Sequence, residues 1–111
     1  MEISTGKITQ LTFSGYNEHA AYSPNCKYII WGSNTDNKNK GMDYWIMNED
    51  GSNKQRLTYF NIKGYTEFSK KKLYAVDMSW SADGKSMIAY VQDNLVKDAG
   101  RIYMIKFRTP L

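Results

Sequence analysis

The sequence predicts an all-β chain, and three observations lead to that prediction. Apolar residues occur in short segments of strand length, separated by polar turns that contain glycine. No run of apolar residues at spacings of three and four is long enough to form an amphipathic helix. Aromatic residues, which pack well on pleated sheet surfaces, make up 14% of the chain. Strands are therefore expected from one end of the 111 residues to the other.

One hairpin occurs twice. In residues 78–91 an apolar segment leads into the turn Ser-Ala-Asp-Gly-Lys, and a second apolar segment follows. An Asp-Gly pair between two such segments, here ending at Gly84, is a strong hairpin signal because glycine adopts a positive φ without steric cost. Residues 20–33 align with this segment and place Ile30 on Ile88. The chain therefore contains a structural repeat.

The first repeat is preceded by one predicted strand and contains four. Residues 8–13 alternate apolar and polar side chains, as a half-buried strand does, and the alternation returns at residues 54–59. In chain order the predicted strands are residues 8–13, 18–22, 27–32, 42–47 and 54–59. The strand at residues 27–32 has bulky side chains on both faces, so its sheet is expected to be packed on both sides. Polar residues 34–41 are expected to form an exposed loop, and residues 48–52 a turn.

The second repeat follows an insertion at residues 60–73, which could hold a helical turn. Its predicted strands are residues 74–80, 85–92 and 101–107. In the third strand of each repeat, Tyr44 and Ile46 align with Tyr103 and Ile105 at a spacing of 59 residues.

A repeat of about 45 residues built as a four-stranded meander is typical of a propeller blade. The recurring segments are Leu11-Thr12 and Leu57-Thr58, Tyr22-Ser23-Pro24 and Trp80-Ser81-Ala82-Asp83-Gly84-Lys85, and Tyr-x-Ile at Tyr44 and Tyr103. This pattern resembles the TolB-type (WD40-like) β-propeller repeat, from about Thr5 to Phe107. The resemblance implies two four-stranded antiparallel blades, as part of a β-propeller or as a subunit of a multi-chain ring.

On this interpretation residues 1–111 are a single β-propeller segment. Residues 8–13 are a blade-closing strand, residues 18–59 blade one, residues 60–73 an inserted loop and residues 74–107 blade two. Blade two has no fourth strand of its own. Residues 8–13 match the outer strand of a blade, but they do not precede the other strands of that blade. Two blades leave sheet faces and edges exposed, so a longer propeller or a multi-chain ring is expected, for example three copies forming six blades.

Cys26 departs from the repeat because it stands where Gly84 stands in the second copy. A β-carbon at positive φ is unfavourable, so this turn is expected to differ in conformation from the one at Gly84. A redox-active or metal-binding thiol is the functional alternative, although no histidine or second cysteine lies near it in the sequence.

Composition limits the classes of function. The formal charge of +4 is modest, and the basic residues are scattered except at Lys70, Lys71 and Lys72, so nucleic-acid binding is not expected. A single cysteine excludes an intrachain disulfide, and no Cys/His spacing predicts a metal site or another cofactor. No signal peptide or membrane-inserting segment is recognised in the sequence. The resemblance implies a periplasmic or otherwise extracytoplasmic location.

Two groups of residues are candidate contact sites for a ligand or partner. Innermost propeller strands line the central channel, where Glu18, His19 and Asp77 are expected; His19 aligns with Asp77. They are expected either to hydrogen-bond across strands or, repeated by symmetry, to form a ligand cluster. The insertion offers Tyr65, Phe68 and the lysines at 70–72, which form either a surface for an acidic partner or a solvated loop.

The function predicted from these features is a non-catalytic scaffold for binding or assembly, with a protein partner, the remaining blades or further copies of the chain. The alternative is an enzyme whose active site lies in the channel, such as a metal-dependent lyase or a hydrolase-associated propeller, completed by other blades or chains. No catalytic residue is assigned, because no Gly-x-Ser-x-Gly elbow or phosphate-binding glycine loop is present.

Overall fold

The computed structural model describes residues 2–94, 97 and 99–111, and within them the chain consists of strands and turns without a helix. The strands are β1 (Asn17–Tyr22), β2 (Tyr28–Ser33), β3 (Asp43–Asn48), β4 (Gln55–Arg56), β5 (Tyr74–Trp80), β6 (Ser86–Asn94) and β7 (Ala99–Lys106). They form a four-stranded sheet, β1-β2-β3-β4, and a three-stranded sheet, β5-β6-β7, with antiparallel pairing throughout. The predicted all-β fold and partial propeller are confirmed, with three strands in the second sheet.

The fourth strand is shorter than predicted. Only Gln55 and Arg56 of residues 54–59 pair with β3. Beyond them, the N–H groups of Leu57 and Thr58 both donate to the carbonyl oxygen of Tyr44, at 2.8 and 3.2 Å, so the backbone leaves the regular ladder. The insertion contains turns and no helical turn among its described residues.

Residues 8–13 form no strand in the described structure, contrary to the prediction. They follow a tight turn in which Gly6 N–H donates to the carbonyl of Glu2, and they make no backbone–backbone hydrogen bond with described residues. Leu11 packs on the face of the first sheet, not beside a strand edge. A strand requires a neighbouring backbone with which to exchange hydrogen bonds, and this segment exchanges none with the described residues. Its blade-closing role stays a prediction.

The pairing register corrects the alignment of the two third strands. Ile30 lies opposite Ile46 in the first sheet, and Ile88 lies opposite Met104 in the second. Because Ile30 and Ile88 are equivalent positions, the counterpart of Ile46 is Met104, at a spacing of 58 residues, and the predicted alignment with Ile105 is wrong.

The same shift makes Ile102, rather than Tyr103, the counterpart of Tyr44. A slip of one residue moves a side chain to the opposite face of its sheet. Tyr103 accordingly packs against the core between the sheets, whereas Ile102 points away and is 67% exposed.

The core lies between the two sheets. Its buried residues are Ile30, Met42, Tyr44, Phe60, Leu73, Ala75, Met87, Ala89 and Val91. The sheets approach closely at Gly32, where an added β-carbon would lie 2.4 Å from the carbonyl oxygen of Ala75. Met42 N–H donates to Leu73 O at 2.8 Å and Ala75 N–H to Met42 O at 3.1 Å, so backbone bonds also join the repeats.

Each sheet carries a second apolar face that points away from this core. On the first sheet Ile29, Trp31 and Met47 form a smaller buried cluster, packed against Leu11 and Trp45. On the second sheet the face that points away from the core is open to solvent, with Ile88, Ile102 and Met104 exposed by 48%, 67% and 61%. Bulky residues on both faces, predicted for residues 27–32, therefore characterise both sheets.

The predicted difference between the two hairpin turns is wrong. Cys26 has a φ of 60° and Gly84 a φ of 67°. In the first turn Ser23 Oγ donates to Asn25 Oδ1 at 2.7 Å, and Lys27 N–H donates to the same oxygen at 3.0 Å.

Ser81, Asp83 and Lys85 make the same two contacts in the second turn, at 2.7 and 3.0 Å. The hydrogen bond from Ser81 lowers the pKa of the Asp83 carboxyl. A side-chain oxygen at the third turn position thus closes both turns, and the fourth residue adopts positive φ whether or not it is glycine.

Replacing Cys26 by glycine is expected to raise the free energy of unfolding by about 1 kcal/mol, since left-handed φ costs an L-residue about 1–2 kcal/mol and glycine's greater freedom when unfolded offsets part of the gain. Urea denaturation of Cys26→Gly measures the change. Cys26→Ala, which keeps the β-carbon and removes the thiol, is the control. A glycine variant no more stable than the alanine variant would contradict the explanation.

Candidate functional site

Equivalent β-bulges interrupt the innermost strands β1 and β5. In β1 the register shifts between Glu18 and Ala21, and the corresponding shift in β5 encloses Asp77. His19, inside the first bulge, has a φ of 54°. Bulges change the direction of the side chains they carry. Here the bulges direct His19 and Asp77 towards each other. The side of the molecule formed by β1 and β5, where these side chains lie, is called the inner edge.

The structure brings three of the predicted site residues together at the inner edge. His19 Nδ1 lies 2.7 Å from Asp77 Oδ1, and His19 Nε2 lies 3.4 Å from Glu18 Oε1. The Tyr16 hydroxyl donates to the other Glu18 oxygen at 2.8 Å, and this hydrogen bond raises the pKa of Tyr16. The four side chains form a continuous polar line from the first sheet to the second.

The chemistry of this line follows from the imidazole between two carboxylates. A neutral imidazole has one N–H and can donate to only one of them, whereas an imidazolium donates to both. The Asp77 side chain is largely exposed, so the ion pair contributes little to stability. Among the residues that the structure describes, no group of three or more His, Cys, Asp and Glu side chains is arranged to hold a metal. The line offers hydrogen-bonding groups to a polar ligand or partner.

Tyr44 links the core to the inner edge. Its buried hydroxyl lies 3.1–3.3 Å from the carbonyl oxygens of Val76, Asp77 and Tyr90, which share its proton. These carbonyls belong to the β5 bulge and to the β6 strand opposite it. Burial, together with the charge of Asp77, raises the pKa of Tyr44. One side chain of the first sheet thus supports the backbone that carries Asp77.

Asp43 is a second organising residue that sequence analysis missed. Its carboxylate is fully buried and accepts five hydrogen bonds of 2.7–3.2 Å. The donors are Asn37 Nδ2, Arg56 Nη1, Thr58 Oγ1, Phe60 N and Asn61 Nδ2. They come from the loop before β3, from β4 and the residues that follow it, and from the start of the insertion. An acidic residue among the apolar residues that begin β3 was the signal available in the sequence.

The insertion is closed at its base and open at its tip. Asn61 Nδ2 donates to Leu73 O at 3.1 Å, and Leu73 N–H donates to Asn61 Oδ1 at 3.0 Å. At the tip, the exposed Tyr65 ring stacks on Tyr59 with the ring centroids 3.9 Å apart. These contacts give the insertion a defined shape, although most of its side chains are exposed.

The predicted insertion residues do not form one site. Lys71 Nζ lies 3.6 Å from Asp93 Oδ2, Lys72 is exposed, and Phe68 and Lys70 line a cavity of about 490 Å³ beside the loop before β3. Its other lining residues are Asp36, Lys38, Asn39, Asn61, Ile62, Lys63 and Ser69. No hydrogen bond or ion pair between described residues joins the insertion to the polar line at the inner edge.

A second cavity, of about 460 Å³, lies on the free face of the first sheet. It extends from Glu18 and His19 at the inner edge to Leu11, Trp31 and Met47. Apolar side chains therefore continue directly from the polar line, and the two surfaces are parts of one concave region.

Comparison with known proteins supports the fold. No protein-family model matches the chain, and no curated protein shows significant similarity to it. A solved structure from Agrobacterium tumefaciens, of a protein assigned as TolB, matches with a TM-score of 0.71 and 24% identity over 96% of this chain. The chain spans 35% of the length of that protein. The similarity shows a TolB-like propeller fold. Within the described residues no helix has the length and apolar character needed to cross a membrane.

Tyr44→Phe is expected to lower the free energy of unfolding by about 2 kcal/mol, because buried carbonyl oxygens lose their donor. Tyr28→Phe is the matched control, since no hydrogen bond of its hydroxyl to a described residue is present. Urea denaturation at neutral pH measures both variants. Equal stability of the two would contradict the role assigned to the Tyr44 hydroxyl.

The stabilities of the same two variants should also differ at alkaline pH. Because the pKa of Tyr44 is raised on folding, the unfolded chain releases this proton first, near the usual tyrosine value of 10.0, and stability falls as the pH rises above that value. Tyr44→Phe should lose less stability above this pH than Tyr28→Phe does.

Proposed function

We propose that this chain is a non-catalytic scaffold for binding and assembly, built from two TolB-like blades. The observation that carries the proposal is the exposed apolar face of the second sheet, together with an apolar outer face on the first sheet that Leu11 partly covers. Ile88 of β6 and Ile102 and Met104 of β7 lie together on one face of the second sheet and are about half exposed or more. Contiguous apolar side chains on a protein surface mark sites of protein contact.

The free face of the first sheet has matching character. Trp31 and Met47 lie there beneath Leu11, and a cavity opens beside them. A propeller blade is covered on both faces by its neighbours, so both free faces suit the sheet surface of another blade. The partners that fit are the remaining blades of a propeller or another protein that presents such a sheet.

The inner edge provides the polar part of the proposed contact surface. Glu18, His19 and Asp77 offer two carboxylates and an imidazole to a ligand in the channel of an assembled propeller. The exposed lysines of the insertion, Lys70 and Lys72, are a separate surface suited to an acidic partner. An extracytoplasmic location is part of the proposal and rests on the resemblance to TolB-type repeats.

A channel-sited enzyme is the rival proposal because His19 stands between two carboxylates at the edge expected to face the channel. Metal analysis of the purified protein distinguishes the two proposals. Transition metal near one equivalent would favour the enzyme, and its absence from protein prepared without chelators would favour the scaffold.

Association through the free faces tests the scaffold. Light scattering behind a sizing column should give a mass above the 12.9 kDa of one chain, rising with concentration. Met104→Lys places a charge on the free face of the second sheet and should lower the mass towards that of one chain. Thr66→Lys adds the same charge to the exposed insertion and should leave the mass unchanged.

Wild-type protein that keeps the mass of one chain over the whole concentration range would overturn the assembly part of the proposal. An association that Met104→Lys and Thr66→Lys weaken equally would also contradict it, because net charge would then be the cause rather than the sheet face.

A further inference from the structure

We infer that a second copy of this chain is the partner of both free faces, joined head to tail, and that residues 8–13 of one copy add a fourth strand beside β7 of the other. This inference rests on the proposed scaffold function and names its partner.

The free face of the second sheet repeats a face that is buried inside the chain. Inside the chain, the first sheet contacts the second through Ile30, Tyr44 and Ile46. The positions equivalent to these, 58 residues later, are Ile88, Ile102 and Met104. The second sheet therefore exposes the same face that the first sheet uses to bind its neighbour.

The receiving face is repeated in the same way. The second sheet receives the first through residues that include Met87, Ala89, Tyr103 and Ile105. Their counterparts in the first sheet are Ile29, Trp31, Trp45 and Met47, which form its outer face, where Leu11 packs on them. The two free faces of one chain are thus the two halves of an interface that the chain already forms internally. A contact between two different surfaces joins copies head to tail and closes into a ring when the rotation permits.

Leu11 shows where the added strand belongs. Leu57, which follows β4, packs against the core between the sheets. Leu11, in the repeated Leu-Thr pair 46 residues earlier, packs against the free face of the first sheet. Leu11 therefore occupies, relative to the first sheet, the position that Leu57 occupies relative to the second.

The backbone of residues 8–13 and the outer edge of β7 are complementary. Residues 8–13 make no backbone–backbone hydrogen bond with described residues, and within the described part of the chain β7 pairs only with β6. Unpaired strand edges favour the addition of another strand. In the first sheet Gln55 lies opposite Ile46. The same register across two copies places Thr9 opposite Met104.

Charges at the inner edge agree with this arrangement. His19 and Asp77 occupy equivalent positions in the two repeats and pair within the chain. In the head-to-tail contact their positions are exchanged, so that Asp77 of one copy meets His19 of the next. An acidic group again faces an imidazole, which in its own chain already lies beside Glu18 and Asp77.

One difference sets the strength of the contact. The counterpart of Tyr44 at the contact between copies is Ile102, which has no hydroxyl to donate to the β1 bulge. The contact between copies therefore lacks a hydrogen bond that the internal contact has. Association that depends on concentration, rather than a permanent complex, is expected.

Intermolecular disulfide formation tests the strand register. In a Cys26→Ala background, Thr9→Cys and Met104→Cys are prepared as separate proteins, one with a mass tag, and mixed under mild oxidation. Residues directly opposite each other on adjacent strands lie about 5 Å apart, within reach of a disulfide. The mixed disulfide should be the main oxidised product by intact mass spectrometry.

Ile88→Cys replaces Met104→Cys in the control mixture. Ile88 is exposed on the same face and lies directly opposite Met104, so it is one strand farther from the β7 edge. Its distance from Thr9 would be about 10 Å, beyond disulfide reach. The control should give only background amounts of mixed disulfide. Circular dichroism of each variant establishes that it is folded.

Three outcomes separate the inference from the proposed function. A mixed disulfide specific to the Thr9 and Met104 pair supports the head-to-tail assembly. Association by light scattering with equal disulfide yields in both mixtures overturns it while leaving the scaffold standing, with another surface or partner. The absence of association overturns both.

Discussion

The packing of the first sheet on the second is the interaction on which the rest of the structure depends. The ring of Tyr44 lies in the core between the sheets, and its hydroxyl donates to carbonyl groups of the second sheet. Gly32 permits the close approach of the two backbones at Ala75. Because the repeats are equivalent, this one contact also explains the surfaces that remain. Every face buried between the sheets has a counterpart on the outside of the molecule, exposed on the second sheet and covered in part by Leu11 on the first.

The candidate site is a consequence of that contact. Asp77 lies on a bulge whose carbonyls accept the Tyr44 hydroxyl, and His19 lies on the equivalent bulge of the neighbouring strand. The distance of 2.7 Å between their side chains is thus determined by the way the blades pack. Asp43, the residue before Tyr44 at the start of β3, has a comparable effect, because five donors converge on its buried carboxylate. Removing one partner of such a network leaves the buried charge poorly compensated, which is strongly destabilising.

The sequence was informative where local chemistry determines the structure. The apolar segments and the Asp-Gly turn predicted strands and hairpins, and the predicted bounds of β5 coincide with those observed. The prediction was wrong where a hydrogen-bond network overrides a residue's preference, as at Cys26, where Ser23 and Asn25 impose a positive φ. The recurrence of Tyr-x-Ile suggested a spacing of 59, although only the pairing of β6 with β7 fixes the register. The convergence on Asp43 depends on residues up to 18 positions away, which no local pattern reveals.

The central claim is that the free faces and the unpaired segments at residues 8–13 and in β7 are completed by another copy. Amide hydrogen exchange, followed by mass spectrometry at dilute and at associating concentrations, tests it most directly. Exchange slows where backbone N–H groups enter stable hydrogen bonds. The account predicts that peptides covering residues 8–13 and Ala99–Lys106 become protected together when the mass rises above that of one chain. Association that leaves both peptides exchanging as they do in the dilute sample would contradict it.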